Sequence, residues 1–510
     1  MEDWAPFYQL ITENRSKDIE SSLLNYHESL QYISDANGFT LIHSCVIHEK
    51  EAILDCLIKH EKSLPDANNA LILNWINKPN RDGYTPYHLA ITKGNLTMVK
   101  YLTLSGADID IKTPLGLGPV HLAAQGDFAD LVAYFAEIGI SLMDTDSKQA
   151  TPLHLAAYMG AYYSSAVLVS LNVPFDSKNR DGHTPLHLAV LSDNARIVRL
   201  LLLKGASRSI KDAKGRTPLH ISKESGLIDI VDMLKPEGVL AKCGYKPLLS
   251  PYKYSVRPFI ILCTLLLTVS VLAIVFCSQY HTLACYSFAA SAIFVLIMLV
   301  IVSNINPGYL FKLKGDKLSR LYQDHNYNEI CPDCIILRPP RSRHCHYCER
   351  CVSKFDHHCQ WVNNCIGSRN LGWFYGFIWS LWISDFLLLY ICSHAFVFGS
   401  KQGGEIEKLP YFESDFIAGL LGALGLLGIF PISYLVVIQT KNFCINKTTS
   451  EQFSKGASKD KTNENKNCWL SNFYLMCCNE GEGSYKHGAK SFSSTNSKAS
   501  DYQMMFEEST

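Results

Sequence analysis

The chain has 510 residues, a length that allows roughly three or four domain-sized units. Its 47 Lys and Arg balance 47 Asp and Glu, so there is no basic footprint for bulk binding to nucleic acid. Charged residues make up 18%, below the about 25% usual in soluble domains. The deficit is concentrated between residues 258 and 438, which excludes a uniformly soluble protein.

Residues 1–35 begin MEDWAPFYQL, with early acids and no apolar run, so no secretory signal peptide is expected and the segment reads as an N-terminal cap. A repeat array follows over 36–235. His88, His121, His154, His187 and His220 each stand 33 residues after the last, and each ends a Thr-Pro-x-His or Gly-Pro-x-His motif. Apolar residues at helical spacing come next, as in Ile197, Val198, Leu201 and Leu202, and then Lys204-Gly205-Ala206. This period and motif resemble the ankyrin repeat. A degenerate copy with His43 precedes His88 by 45 residues, which implies an insertion of 12 around 67–78 and about six repeats in all. Pro at the helix start fixes φ, and Gly after the second helix permits a left-handed turn. The histidines are expected to bond backbone within and between repeats. One repeat cannot bury its apolar face alone, so the array is expected to stack and bind protein or peptide.

A linker over 236–257 leads to four apolar runs of spanning length, 259–278, 283–302, 373–398 and 416–438. Lys242, Lys246, Lys253 and Arg257 precede the first run. Lys312, Lys314, Lys317 and Arg320 follow the second, and Lys441 and Lys447 follow the fourth. The loop around 401–415 is net acidic. The positive-inside rule therefore puts both termini and the loop 304–372 in the cytosol. Asp385, inside the third run, is a functional candidate. Gly419, Gly422, Gly425 and Gly428 suit close helix packing.

Seven of the 18 Cys lie between residues 331 and 365. Cys331-x-x-Cys334 and Cys345-x-x-Cys348 carry paired zinc-ligand spacing, and with the nearby His they supply about two tetrahedral sites and a surplus. Asp356-His357-His358-Cys359 has a different character. A thiol beside imidazoles can be held as thiolate, and a carboxylate can orient a base. On spacing alone, Cys359 reads either as a nucleophile or as one more zinc ligand.

Residues 331–374, including Gly367, Asn370 and Phe374, resemble the cysteine-rich domain of the DHHC protein S-acyltransferases, or palmitoyltransferases. Thr448-Thr449-Ser450-Glu451 is similar to that family's TTxE motif. With the array in front, the chain resembles the ankyrin-bearing branch, which includes the yeast Akr proteins and the animal huntingtin-interacting acyltransferases. The resemblance implies a mainly α protein: an ankyrin solenoid, spans 1–2 over 258–303, a cytosolic double-zinc loop over 304–372, spans 3–4 over 373–438 with a short luminal loop, and a partly disordered cytosolic tail over 439–510. It implies two structural zinc ions, one on Cys331, Cys334, His344 and Cys351, the other on Cys345, Cys348, His358 and Cys365. Cys359 is then the nucleophile, His357 its base, Asp356 the orienter, and Thr449 the support of Asp356.

The implied reaction moves palmitate from palmitoyl-CoA to protein cysteines through a thioester on Cys359. Arg338, Arg341, Arg343 and Arg369 are candidates for the CoA phosphates. Ser384 and Trp361 are candidates for the acyl-chain cavity. The implied partners are protein substrates recruited by the array, palmitoyl-CoA and membrane lipid, with no nucleic acid. The Golgi or another endomembrane is the implied location.

Three features depart from the family pattern. Gln360 stands where Pro usually follows the nucleophile. The chain has four runs where the ankyrin-bearing relatives have six. Leu89 stands where animal relatives place a peptide-binding Trp. In the tail, Asn472-Phe473-Tyr474 loosely matches a further motif, and Cys477 and Cys478 are candidate acylation sites. A catalytically silent scaffold and a zinc-bound channel or receptor are the competing classes. Neither explains a seventh Cys beside His357.

Overall fold

The computed structural model describes residues 4–24, 26, 29–64, 69–235, 257–277, 282–312, 317–399, 411–445 and 447–452. Lys242, Lys246, Lys253, Lys314, the Asn472 motif, Cys477 and Cys478 lie outside the described residues. The chain divides into two units. One holds Met1–Tyr254, Leu310–Pro339 and His344–Cys351; the other holds Ser255–Tyr309, Pro340–Arg343 and Val352–Thr510.

In the first unit, six helix pairs follow one another from Leu41 to Leu234. Pro86, Pro119, Pro152, Pro185 and Pro218 each open the first helix of a pair, where a missing N–H costs nothing. The motif histidine is the third residue of that helix. The Thr151 N–H donates to His154 Nδ1 at 3.1 Å, so Nε2 carries the ring proton and donates to the Ser177 and His183 carbonyls, both at 3.1 Å. His43, His88, His121 and His187 reach Tyr84, Ile111, Ala150 and Arg216 carbonyls in the same way. Each ring therefore caps its own helix and ties it to the turn ahead. Gly205 ends the helix Ala195–Lys204 at φ 105°, a left-handed position that a side chain would strain.

The apolar faces merge into one core from Phe7 to Leu234, with Leu41, Leu57, Tyr87, Phe135, Leu153 and Leu201 wholly enclosed. Burying each such side chain is worth about 1.5–3 kcal/mol. The 12-residue insertion is not a loop: it contains the helix Asn69–Ile76, which buries Ile72, Trp75 and Ile76 in the same core.

Among the described residues of the second unit, four helices are long and apolar enough to cross a membrane, with apolar windows Pro258–Val275, Leu283–Asn304, Leu371–Ala395 and Phe416–Asn442. The fourth helix, Tyr411–Ile445, extends several residues beyond the expected 416–438, because polar residues at its ends continue the helical ladder, whereas the third, Leu371–Gly399, adds only Leu371, Gly372 and Gly399 to its expected run. The third helix packs against the second and fourth. Trp382 Nε1 on the third donates to Ser433 Oγ on the fourth at 2.9 Å, two residues after Pro431 interrupts that helix's own bonding. Gly425 and Gly428 form a notch for Asp385. A Cβ at either would stand 3.3 or 3.2 Å from the carboxylate oxygens, and Oδ2 has no hydrogen-bond partner among the described residues.

Candidate active site and zinc-binding groups

Three two-stranded hairpins build the Cys-rich loop: β1 (Ile330–Cys331) with β2 (Ile336–Leu337), β3 (Arg343–Cys345) with β4 (Arg350–Val352), and β5 (His357–Cys359) with β6 (Asn364–Ile366). Ile335 and Glu349, each just after a Cys-x-x-Cys, take φ of 53° and 51°. A β-branched Ile in this region is strained, and the bend it permits turns both thiols of the pair toward one point.

Cys331, Cys334, His344 and Cys351 are brought together in the first unit, with ligand atoms within 4.8 Å of one another. His344 Nδ1 lies 3.5, 3.3 and 3.8 Å from the sulfurs of Cys331, Cys334 and Cys351. Tetrahedral zinc with bonds of about 2.3 Å to sulfur and about 2.0 Å to nitrogen would space S and N by about 3.5 Å. Hydrogen bonds with Cys331 and Cys351 push the Cys334 thiol down. The donor set and its spacing fit zinc. Of the second set of candidate ligands, Cys345 and Cys348 belong to the first unit, and His358 and Cys365 to the second.

In the third hairpin His358 pairs with Cys365, and Cys359 with Asn364. Cys365 Sγ is 3.5 Å from His358 Nδ1. Side chains alternate along a strand. His358 therefore shares the face of Cys365 opposite it, while His357 and Cys359 share the other face. Two consecutive histidines acquire two different surroundings from the pleat alone.

Three devices fix this hairpin. Asn364 Nδ2 donates to the Val302 and Ile305 carbonyls at 3.0 and 2.8 Å, capping the second apolar helix, whose last carbonyls lack helical partners. Asn370 accepts from the Gly367 N–H at 2.9 Å and donates to the Cys365 carbonyl at 2.8 Å. Gly367 itself has no room for a side chain, since a Cβ would lie 2.5 Å from the Pro307 carbonyl oxygen.

On the other face, His357 Nδ1 is 2.7 Å from Asp356 Oδ2, and the ring also bonds the Cys359 thiol. Asp356 is 2% exposed, whereas a third of the His357 side chain remains open to a reactant. Thr449 donates to Asp356 twice, from N–H at 2.5 Å and from Oγ1 at 2.9 Å. The same hydroxyl accepts from Gln439 Nε2 at 3.1 Å and Asn442 Nδ2 at 3.0 Å, so its bonding capacity is filled. Phe374 stands edge-on to the His357 ring at 5.3 Å. Burial pulls the His357 imidazole down, and the bonds to Asp356 and Cys359 more than reverse it, holding it above its usual range. Burial pushes the Cys359 thiol up, and the hydrogen bond and charge of His357 outweigh this and hold it below its usual range. Burial likewise opposes ionisation of Asp356, and His357 with Thr449 overcomes it.

A matching stretch in known proteins covers this whole assembly. Residues 324–456 match the model of the DHHC palmitoyltransferase family, and the ankyrin-repeat model matches three times, over 9–113, 98–176 and 161–242. The chain carries an ankyrin array and a DHHC palmitoyltransferase domain. The DHHC domain is 36% identical over 153 residues to palmitoyltransferase ZDHHC14 of Mus musculus, covering 29% of this chain and 30% of that protein. It is 35% identical over 141 residues to palmitoyltransferase Hip14 of Drosophila melanogaster, covering 25% and 21%. A probable protein S-acyltransferase 1 of Arabidopsis thaliana is 36% identical over 125 residues, covering 24% and 36%. The matched stretch thus spans little more than a third, or less, of each of these relatives.

The remaining sequence candidates in the DHHC domain divide. Arg341 forms a two-point pair with Glu451 of the TTxE segment, at 2.7 and 3.0 Å. Arg338 donates to the Asn328 carbonyl, and Arg343 and Arg369 are exposed. Ser384 lines a cavity of about 190 Å³ among the apolar helices, with Leu262, Ser270, Asp385 and Gly428, and accepts from Ser291 Oγ at 3.2 Å. Trp361 is 53% exposed and does not line that cavity. Sequence reasoning missed Gln439, Asn442, Asn364 and the pairing of Arg341 with Glu451. The first two carried a signal: a polar pair three residues apart at the end of an apolar helix.

Proposed function

We propose that the protein is a protein S-acyltransferase that moves palmitate from palmitoyl-CoA to cysteines of other proteins. The observation that carries this reading is the relay from Thr449 through Asp356 and His357 to Cys359. Asp356 fixes the imidazole with Nδ1–H toward itself, which leaves Nε2 for the thiol. The Cys359 thiolate attacks the thioester carbonyl carbon, a new C–S bond forms, and the CoA thiolate leaves with the proton held by His357. The acceptor cysteine then gives its proton to His357 and takes the acyl group, releasing Cys359 as thiolate. Such a covalent intermediate implies ping-pong kinetics.

The two Cys/His groups are read as structural zinc sites. Four protein ligands leave no open position for substrate, so the zinc ions supply loop stability rather than chemistry. The cavity beside Ser384 is assigned to the acyl chain, each buried CH₂ contributing about 0.8 kcal/mol. The exposed Arg343 and Arg369 are assigned first to the CoA phosphates, since Arg341 is committed to Glu451 and Arg338 to a carbonyl. Both termini and the DHHC domain are assigned to the cytosolic side of a Golgi or other endomembrane, and the ankyrin array to substrate recruitment.

The test is acyl-enzyme formation. Wild type and Cys359→Ser are purified in detergent and incubated with a clickable palmitoyl-CoA analogue, followed by neutral hydroxylamine. Label on the wild type that hydroxylamine removes, and none on the variant, is expected. Equal labelling of both would move the acyl site to another cysteine. No label on folded, zinc-loaded wild type would favour a silent scaffold.

A further inference from the structure

The first unit contains a contact that neither the repeat pattern nor the DHHC motif requires. The short helix Leu318–Asp324 and the residues after it lie on the ankyrin array. Leu318, Tyr322 and Ile330, each 3–5% exposed, belong to the array's own hydrophobic core. Glu137 of the array caps the short helix, accepting from Ser319 N–H at 3.0 Å and Ser319 Oγ at 2.7 Å. Asp130, 8% exposed, accepts from the Tyr327 hydroxyl at 2.9 Å. Tyr163 donates to Asn328 at 2.7 Å and stacks edge-on with Tyr327 at 5.4 Å. A buried carboxylate such as Asp130 is costly without its partner, so the docked segment completes the array as much as the array orders the segment.

The segment runs directly into zinc ligands. Ile330, seated in the array core, is followed by Cys331. Asp333, between Cys331 and Cys334, is ion-paired with Lys204 of the array. Its other oxygen lies 3.7 Å from His344 Nε2, the ring nitrogen turned away from the three sulfurs. A carboxylate on the outer nitrogen of a ligand histidine orients the ring and raises its basicity. Here the carboxylate is itself held by a lysine 129 residues away.

We propose that the ankyrin array is a structural part of the first zinc site. It clamps residues 318–333 and, through Lys204 and Asp333, sets the orientation of His344. This rests on reading Cys331, Cys334, His344 and Cys351 as a zinc site. It gives the array a second role beside recruitment: Asp130, Glu137, Tyr163 and Lys204 are engaged by the chain itself, so substrates are recruited elsewhere on the array.

The experiment uses the full chain in detergent with four proteins: wild type, Lys204→Ala, Lys204→Arg and Tyr327→Phe. Zinc release to a colorimetric chelator and hydrogen exchange over 318–351 are measured without acyl donor. Lys204→Ala is expected to speed release of one of the two ions by roughly 10-fold, the low end of the usual effect of removing such outer support. Lys204→Arg is expected to restore most of it. Tyr327→Phe, which leaves the array's sequence intact, is expected to speed exchange over 318–334. Release and exchange unchanged from wild type in both Lys204→Ala and Tyr327→Phe would overturn the clamp. Acyl-enzyme labelling of the same wild type separates the two readings. Label present with no change in the variants keeps the reaction and removes the clamp. Label absent with both changes present removes the reaction and keeps the clamp.

Discussion

The ankyrin array and the third hairpin of the DHHC domain both depend on histidines, and they use them in opposite ways. In the array the imidazoles of His43, His88, His121, His154 and His187 accept at Nδ1 from their own helix starts and donate at Nε2 to a carbonyl ahead. Burial beside neutral hydrogen-bond partners favours the neutral ring: His43 and His154 are pushed down to about 4, and His88, His121 and His187 move in the same direction. In the hairpin, His357 faces a carboxylate and a thiol, and its affinity for protons rises. The lesson is that the partner decides the role. Carbonyls make histidine a bracket; an ionised acid on one nitrogen and a thiol near the other make it a base.

The largest expected break in this comparison is His357→Gln, which keeps the volume and removes the proton acceptor. Acyl-enzyme formation should fall by about 10²–10⁴-fold, read from single-turnover labelling, while zinc content and thermal unfolding stay at wild type. Equal activity would return His357 to a bracket role.

Metal removal comes next. Chelation, or Cys348→Ser, should raise hydrogen exchange across 331–366 and abolish labelling, because ligand thiolates without a cation repel one another. A folded, zinc-free and fully active protein would contradict this.

His154→Ala tests the bracket. It leaves the Ser177 and His183 carbonyls short of a donor and should cost about 1–3 kcal/mol in the array's unfolding, with Cys359 labelling unchanged at low temperature. The array's pH response sharpens the same point. Histidines with folded values below the ordinary 6.5 take up protons only on unfolding, so stability is complete above pH 6.5 and falls as pH drops from there toward about 4. Melting temperature measured across that window should decline, and His154→Ala should flatten the decline. The smallest expected effect is Ser384→Phe, which should shorten the preferred acyl chain with little change in total labelling; an unchanged palmitoyl to myristoyl ratio would move the chain elsewhere.

Much of this was legible in the chain itself because it rests on short-range rules. A 33-residue period writes out stacked helix pairs, four apolar runs write out four helices, and Cys-x-x-Cys spacing writes out thiols that meet. Asp356-His357-His358-Cys359 could even be assigned alternate faces once a strand was supposed. The insertion before His88 was legible only as extra length; that it buries Trp75 in the core depended on the neighbouring repeats.

Contacts made by polar side chains far apart in sequence had no such signal. Arg341 is spent on Glu451, and Lys204 reaches Asp333. Each pair meets only through the packing of whole elements, and no local periodicity encodes it. The sequence determined the repeats and the apolar helices, since period and hydropathy are properties of neighbouring positions, while spacing left Cys359 open between nucleophile and zinc ligand. Tertiary structure alone decided which carboxylate meets which histidine, which arginine is taken by a glutamate, and that Lys204 of the array meets Asp333 beside His344, since those depend on distances closed only when the elements pack.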